Sequence, residues 1–391
     1  MHTLQRVARV LVVMAAIGGA IAAHAQGAAA SSPKFPASRD SIVGRIADLQ
    51  RIHTPEGIEV LEPVEVNGTT QWISIRGLNR NNPILLVVHG GPGSAMIAST
   101  WTYQKPWEDF FTVVNWDQRG VGKNWNPADT ARLRPTMTSE QHVRDAEVIV
   151  RHVLRRLGQQ KLVLMGWSWG TAFTPALVQR YPELFHAWVG MGVASSGAQG
   201  DGDPLHTRLM EIARSNADTQ AVRELVALAP DAPTGPRGIE RALALRKWAR
   251  IYDGGWYGKP NLDLFFVLSD WGQEYTTREA EMQVAATQWG TRAIIGRPAG
   301  GAAASDAYEV PMIFLMGRYD LHTPYASARA HFERITAPKK RFITFERSAH
   351  FVMLEEPGRF LLTLINEVLP LAGGARSFDI IPEPQRRQPA R

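Results

Sequence analysis

Residues 161–170 read KLVLMGWSWG and confine this chain to few architectures. Leu162, Val163, Leu164 and Met165 form an unbroken apolar run of strand length, the pattern of a strand covered on both faces. The run leads straight into Gly166-Trp167-Ser168-Trp169-Gly170, and residues 171–180 then carry a helical pattern. A strand that turns into a helix within so few residues forces one of them into strained backbone. The flanking glycines fit because a Cβ there would strike the neighbouring strand or helix. Such a turn lifts the Ser168 hydroxyl above the sheet edge at a helix N-terminus, where backbone N–H groups can stabilise an oxyanion. The G-x-S-x-G pattern alone is weak, but with a strand before it and a helix after it Ser168 is a candidate nucleophile rather than a plain turn serine.

The rest of the chain repeats the strand–helix rhythm. Residues 58–66 and 71–76 read as two strands joined by the hairpin signal Asn67-Gly68. Residues 83–88 and 112–116 are short apolar strands, ending in His89-Gly90-Gly91-Pro92-Gly93 and Asp117-Gln118-Arg119-Gly120. Strands are also expected at 186–192, 310–316 and 341–345, with helices at 41–51, 138–157, 325–334 and 357–369. This alternation predicts an α/β fold with a mostly parallel sheet covered by helices on both faces. Ligands in such sheets bind beyond the strand C-termini. Residues 196–305 break the rhythm with helical segments at 206–213, 219–228 and 239–251 and with Trp248, Trp256, Trp271 and Trp289. They read as an inserted helical lid, the other reading being a second independent domain. The core is then expected in two parts, 41–195 and 306–372.

A length of 391 residues allows one large α/β domain with an insertion, or two domains. The formal charge of +6 is not gathered into a basic stripe with interleaved aromatics, so no nucleic-acid partner is expected. The absence of cysteine rules out disulfides and thiolate chemistry. At the N-terminus, Arg6 and Arg9 precede an apolar run broken at Gly18-Gly19, and Ala23-His24-Ala25 follows. That is the pattern of a secretory signal peptide over residues 1–25, too short for a spanning helix. After its removal the expectation is a periplasmic or secreted protein not held in a membrane. Residues 26–40 read as a linker and 373–391 as a loosely ordered tail.

A serine nucleophile needs a general base, and the base needs an acid to fix its tautomer. In strand–turn–helix serine hydrolases the chain order is Ser, then Asp or Glu, then His. Asp320 follows the 310–316 strand and His350 follows the 341–345 strand, so both fall at the same sheet edge as Ser168. His322 shares a loop with the acid and so has poor reach to a serine on another strand. Asp117 precedes the nucleophile and reads as structural, paired with Arg119. His89 opens the glycine loop and reads as shaping it by hydrogen bonds. The loop itself supplies one expected oxyanion donor, the Gly91 N–H, and Trp169, after the nucleophile, supplies the other. Neither a phosphate-binding glycine loop nor a histidine–carboxylate cluster at metal spacing is present in the sequence, so no cofactor or metal is expected.

Taken together, residues 89–93 (HGGPG), 117–120 (DQRG), 166–170 (GWSWG), 317–320 (GRYD) and 350–357 (HFVMLEEP) resemble the proline iminopeptidases of the α/β-hydrolase superfamily. The likeness covers roughly residues 58–195 and 306–370. It implies an α/β-hydrolase fold, a Ser168–Asp320–His350 triad with Gly91 and Trp169 as oxyanion donors, a helical cap, and removal of N-terminal proline from small peptides without metal or cofactor. The sequence departs from the family in three places. Lys123 stands where members carry a serine after the DQRG-x-G run. The stretch 248–253 (WARIYD) is the nearest to the family's Trp-Glu element, and it places Arg250 where an acid is expected. Asp253, Asp270, Glu274 and Glu279 are the remaining candidates for holding a substrate ammonium. The export signal also separates this chain from cytoplasmic members. An esterase or amidase of small hydrophobic acyl substrates is the alternative activity, and a non-catalytic binding protein on the same fold is the alternative class.

Overall fold

The computed structural model describes residues 38–194, 203–230, 238–258, 267–295, 303 and 305–373. The expected signal peptide, linker residues 26–37 and tail residues 374–391 lie outside the described residues. So do the insertion residues 196–202, 231–237, 259–266, 296–302 and 304. The chain divides into residues 1–42 and residues 43–391. In the first unit the described residues open helix α1 (Arg39–Gln50), which starts inside the stretch expected as linker. The reason is local: the Ser38 hydroxyl accepts the Ser41 N–H (3.4 Å) and Asp40 sits in the first turn, both favourable at a helix start.

The second unit holds an eight-stranded sheet in the order β1-β2-β4-β3-β5-β6-β7-β8. The strands are β1 (Ile58–Val66), β2 (Thr69–Gly77), β3 (Ile84–Val88), β4 (Thr112–Trp116), β5 (Leu162–Trp167), β6 (Phe185–Met191), β7 (Met312–Gly317) and β8 (Lys340–Phe345). β2 runs antiparallel to β1 and β4, and every other pairing is parallel. Asn67 and Gly68 both have positive φ (46° and 76°), the hairpin geometry that Asn-Gly favours. β7 begins two residues later than expected because Pro311 has no N–H to give the ladder.

Alternate residues of the central strands feed two cores. Ile84, Leu86 and Val88 of β3 face one side and Leu85 and Val87 the other. The first core is covered by α2 (Ser139–Leu157) and α3 (Gly170–Arg180), the second by the segment around Tyr103 and Trp107 and by the C-terminal helices. α2 follows from its sequence: Thr138 caps it through the Gln141 N–H, and Val143, Ala146, Val150 and Val153 lie buried at helical spacing. The helix expected at 357–369 is not continuous. Its α-helical part is Pro357–Thr363, followed by a wider turn at Leu364–Val368 and a tight one at Leu369–Ala372, where Pro370 cannot continue the ladder.

After β3 the chain goes to β4 on one side and then to β5 on the other. This reversal opens a crevice beyond the C-terminal ends of β3 and β5. Between β6 and β7 the described residues include the helices α4 (Pro204–Ser215), α5 (Thr219–Ala227), α6 (Gly238–Ile251) and α7 (Thr277–Ile294). α4, α5 and α6 pack through Leu209, Leu225, Leu245, Trp248 and Ala249 on each other and on Leu321 of the body. No helix among the described residues is long and apolar enough to cross a membrane.

Candidate active site

Ser168 sits at the tip of β5 with φ of +52°, a left-handed conformation that costs a non-glycine residue about 1–3 kcal/mol. Its N–H donates to the Met191 carbonyl at the end of β6 (2.8 Å), and its carbonyl accepts the Thr171 N–H (2.9 Å) and hydroxyl (2.6 Å). The turn is closed from behind, since a Cβ on Gly170 would lie 2.2 Å from the Val88 carbonyl oxygen of β3. The elbow is therefore held by both neighbouring strands, and the serine side chain remains part-exposed above the sheet.

Asp320 and His350 meet at the ends of β7 and β8. The His350 Nδ1 is 2.8 Å from Asp320 Oδ2. The same oxygen accepts the Thr323 hydroxyl (2.7 Å), while Oδ1 accepts the backbone N–H groups of His322 (2.8 Å) and Thr323 (2.9 Å). Burial alone would raise this carboxyl, but His350 and these donors outweigh it and hold it below its ordinary value. Nδ1 being engaged, Nε2 is the working nitrogen of His350. The imidazole lies against the Gly192 backbone, where a Cβ would come within 2.8 Å of Cε1. Gly192 directly follows the Met191 that binds the Ser168 N–H, and the Trp167 indole donates to the His350 carbonyl (3.3 Å). Serine, histidine and aspartate thus converge on one end of β6.

The loop after β3 backs onto the same place: a Cβ on Gly90 would lie 2.8 Å from the Ser168 Cβ and 3.4 Å from its Oγ. Gly91 has φ of +114°, and a side chain there would strike the Gly93 and Ser94 nitrogens at 2.6 Å. Neither the Gly91 N–H nor the Trp169 N–H has an acceptor among the described residues. His89 locks this loop to the next one. Its Nδ1 is 2.9 Å from the Gly90 carbonyl, its Nε2 accepts the Gln118 N–H (3.2 Å), and its own carbonyl accepts the Gln118 side-chain amide (2.8 Å). Burial pushes His89 down to about 4, so it is a neutral brace.

His322 stacks on His350 with ring centroids 5.1 Å apart. Burial first, then the charge of His350, pushes it down to about 3, which keeps it neutral and unsuited to act as the base. The expected Asp117–Arg119 pair is not formed. Arg119 instead makes a two-pronged ion pair with buried Asp145 of α2 (2.7 and 2.8 Å), a geometry that suits a guanidinium better than one neighbour in the same turn. Asp117 accepts the Lys123 N–H (2.9 Å) and a short hydrogen bond from the Tyr275 hydroxyl.

The departures from the family have structural consequences. The Lys123 ammonium reaches into the insertion, pairing with Glu279 (2.8 Å) and bonding the Glu274 carbonyl (3.0 Å). Glu279 is therefore already neutralised, and it also completes the cap of α7 with Thr276. Glu274 is buried, one of its carboxylate oxygens has no partner among the described residues, and burial raises its pKa. Asp253 sits at a turn with φ of +57°. Two site residues escaped the sequence reading. Thr323 braces Asp320, and Glu355 accepts the N–H groups of Ala349 (2.9 Å), Phe351 (2.9 Å) and, from the insertion, Tyr257 (2.6 Å). Glu355 lay in the HFVMLEEP motif, where a carboxylate so close after the histidine was the available signal.

The insertion touches the loops that carry Asp320 and His350. The Gly254 carbonyl accepts the Leu321 N–H (3.2 Å) and the Gly255 carbonyl the His350 N–H (3.2 Å). A part-exposed serine at a strained elbow, a histidine oriented by a buried carboxylate and two N–H groups without an acceptor among the described residues are the groups that acyl transfer would require.

The probable aminopeptidase YbaC of Bacillus subtilis is 27% identical over 314 residues, 79% of this chain and 96% of that protein. The proline iminopeptidase of Heyndrickxia coagulans is 23% identical over 295 residues, 72% of this chain and 88% of that one. The crystal structure of the proline iminopeptidase of Mycobacterium smegmatis superposes with a TM-score of 0.51 at 18% identity, covering 80% of this chain and 98% of that one. Residues 83–357 match the α/β hydrolase fold family as a whole, and this chain, a hydrolase by sheet order and kinship, belongs to that family.

Proposed function

We propose that this hydrolase is an exported aminopeptidase of the proline iminopeptidase type, releasing N-terminal proline from peptides through an acyl-enzyme on Ser168. The observation that carries the reading is the convergence of Ser168 and the His350–Asp320 pair on the end of β6, in a chain whose full-length relatives are named as aminopeptidases. In this mechanism the Ser168 Oγ attacks the acyl carbon as His350 Nε2 takes its proton. The Gly91 and Trp169 N–H groups receive the oxyanion. His350 returns the proton to the departing amine, and a water activated by the same nitrogen then frees the proline carboxylate. Among the carboxylates of the insertion, Glu274, with an oxygen left unpaired, is our candidate for the substrate ammonium. The signal pattern in residues 1–25 supports a periplasmic or secreted location.

The test compares prolyl-, alanyl- and N-blocked prolyl-nitroanilide with a short-chain nitrophenyl ester, using the chain from Gln26 and its Ser168→Ala variant. The expected result is preference for the free prolyl amide, lost on blocking the amine and reduced at least about 10³-fold by the substitution. Ester turnover without amide turnover would retain the nucleophile and discard the peptidase. Undiminished turnover in Ser168→Ala would remove the nucleophile itself.

A further inference from the structure

The basic residues of α6 are not equivalent. Arg241 pairs with Asp203 (2.7 Å) and Lys247 with Glu224 (2.7 Å), each on a neighbouring element of the insertion. Arg246 is half-buried and has neither hydrogen bond nor ion pair among the described residues. A guanidinium stays charged in proteins, and a charge taken partly out of water without a partner is costly. Burial and the neighbouring Arg250, one helical turn on, both press on it. Among the described residues no acid relieves it.

Its place in the fold is defined by the packing of α6. Leu245, Trp248 and Ala249, which flank Arg246, pack in one cluster with Leu321. Leu321 lies between Asp320 and His322, and just past the helix end Gly254 and Gly255 bond the Leu321 and His350 N–H groups. Arg246 and Arg250 are both felt by His322, which stacks on His350 and whose buried Nε2 has no partner among the described residues. In acyl transfer the histidine hands its proton to the leaving group, so whatever stands on the His350 flank faces the leaving group rather than the acyl part.

We propose that Arg246 reads a carboxylate on the leaving group, so that the preferred peptides are dipeptides, whose C-terminal carboxylate lies one residue beyond the scissile bond. The peptide form of this inference rests on the aminopeptidase reading above. The carboxylate preference does not. With Glu274 on the ammonium and Arg246 on the carboxylate, both charged ends of a zwitterionic dipeptide would be matched, and longer peptides would lose the second contact.

The experiment measures kcat/KM for Pro-Ala and its C-terminal amide in the wild type, Arg246→Met and Arg246→Lys. The wild type is expected to favour the acid by about tenfold or more, through KM, as for one charge-assisted contact. Arg246→Met should bring the ratio close to one and Arg246→Lys should keep part of it. A ratio within one variant is insensitive to how much of that variant is folded. The same variants are assayed with 3-acetoxybenzoate and 3-acetoxybenzamide, esters whose leaving phenols differ only in the carboxylate. An Arg246-dependent ratio on the esters with no dipeptide cleavage would sink the peptidase and leave the carboxylate reader standing. Cleavage of both peptides at a ratio near one, or a ratio indifferent to Arg246→Met, would overturn the inference and leave the peptidase intact.

Discussion

His350 owes its position to a carboxylate that does no chemistry. Glu355 accepts the N–H groups on both sides of the histidine, from Ala349 and Phe351, and a third from Tyr257 of the insertion. Glu356 holds the preceding residues through the Arg347 N–H (3.0 Å) and the Ser348 hydroxyl (2.8 Å). Burial raises the Glu355 carboxyl even though these donors pull it down. In Glu355→Gln, one acceptor becomes an NH2 group facing N–H donors, and the loop must shift to relieve the clash. We expect kcat to fall by about tenfold on ester and amide alike with KM changed little, since misplacing a catalytic group by a fraction of an ångström is felt in the chemical step. A variant that loses only stability, with kcat per folded molecule unchanged, would show Glu355 to be merely structural. The triad candidates could be read from residue order and strand ends. The braces were harder to read: the motif held Glu355 but not its partners, and the bonds that Thr323 and Glu355 make to Asp320 and to the backbone around His350 exist only in the folded loops.

At the scale of elements, α7 shows the same division. Its start is written locally: Thr276 and Glu279 form a reciprocal capping box, a T-x-x-E signal, although the sequence reading of the insertion named only the three earlier helices. Its docking is not local. The Thr291 hydroxyl donates to the Pro92 carbonyl (2.8 Å), and a Cβ on Gly290 would lie 3.1 Å from Gly93 Cα and 2.8 Å from a Val121 methyl. The far end of α7 therefore rests directly on the glycine loop that carries Gly91. Gly290→Ala separates two effects of opposite sign. Alanine in place of glycine inside a helix gains roughly 1 kcal/mol of intrinsic helix stability, while the added methyl pushes the helix off the loop. The thermal midpoint should therefore move by only a few degrees while kcat drops tenfold or more on every substrate. Parallel losses of midpoint and activity would place the defect in folding instead.

Across the whole molecule the sheet was the most legible part, because β3, β4 and β5 are buried on both faces and so appear as plain apolar runs. Contacts between the body and the insertion were not legible, since they join residues far apart in the chain, 67 positions for Gly254 and Leu321 and 199 for Pro92 and Thr291. The Asp117 cluster is the clearest case. Asp117 of the body is fully buried against Tyr275 of the insertion, and beside it Lys123 pairs with Glu279 while lying 4.9 Å from the Trp72 ring centroid. Burial raises the Asp117 carboxyl from 3.8 to about 7, against the pull of Tyr275 and Lys123. In the unfolded chain the group releases its proton near the ordinary value, so between roughly pH 4 and 7 the native state binds more protons than the unfolded one. Stability from this group is then full below pH 4 and lost as the pH rises through 7, a change on the order of 4 kcal/mol. Denaturant midpoints taken from pH 4.5 to 8 should carry this falling component in the wild type. It should be absent in Asp117→Asn, which keeps an acceptor for the same donors but cannot titrate. Identical pH profiles for the two proteins would mean that Asp117 is already ionised in the native state and that the body and the insertion are joined there by charge, not by a shared proton.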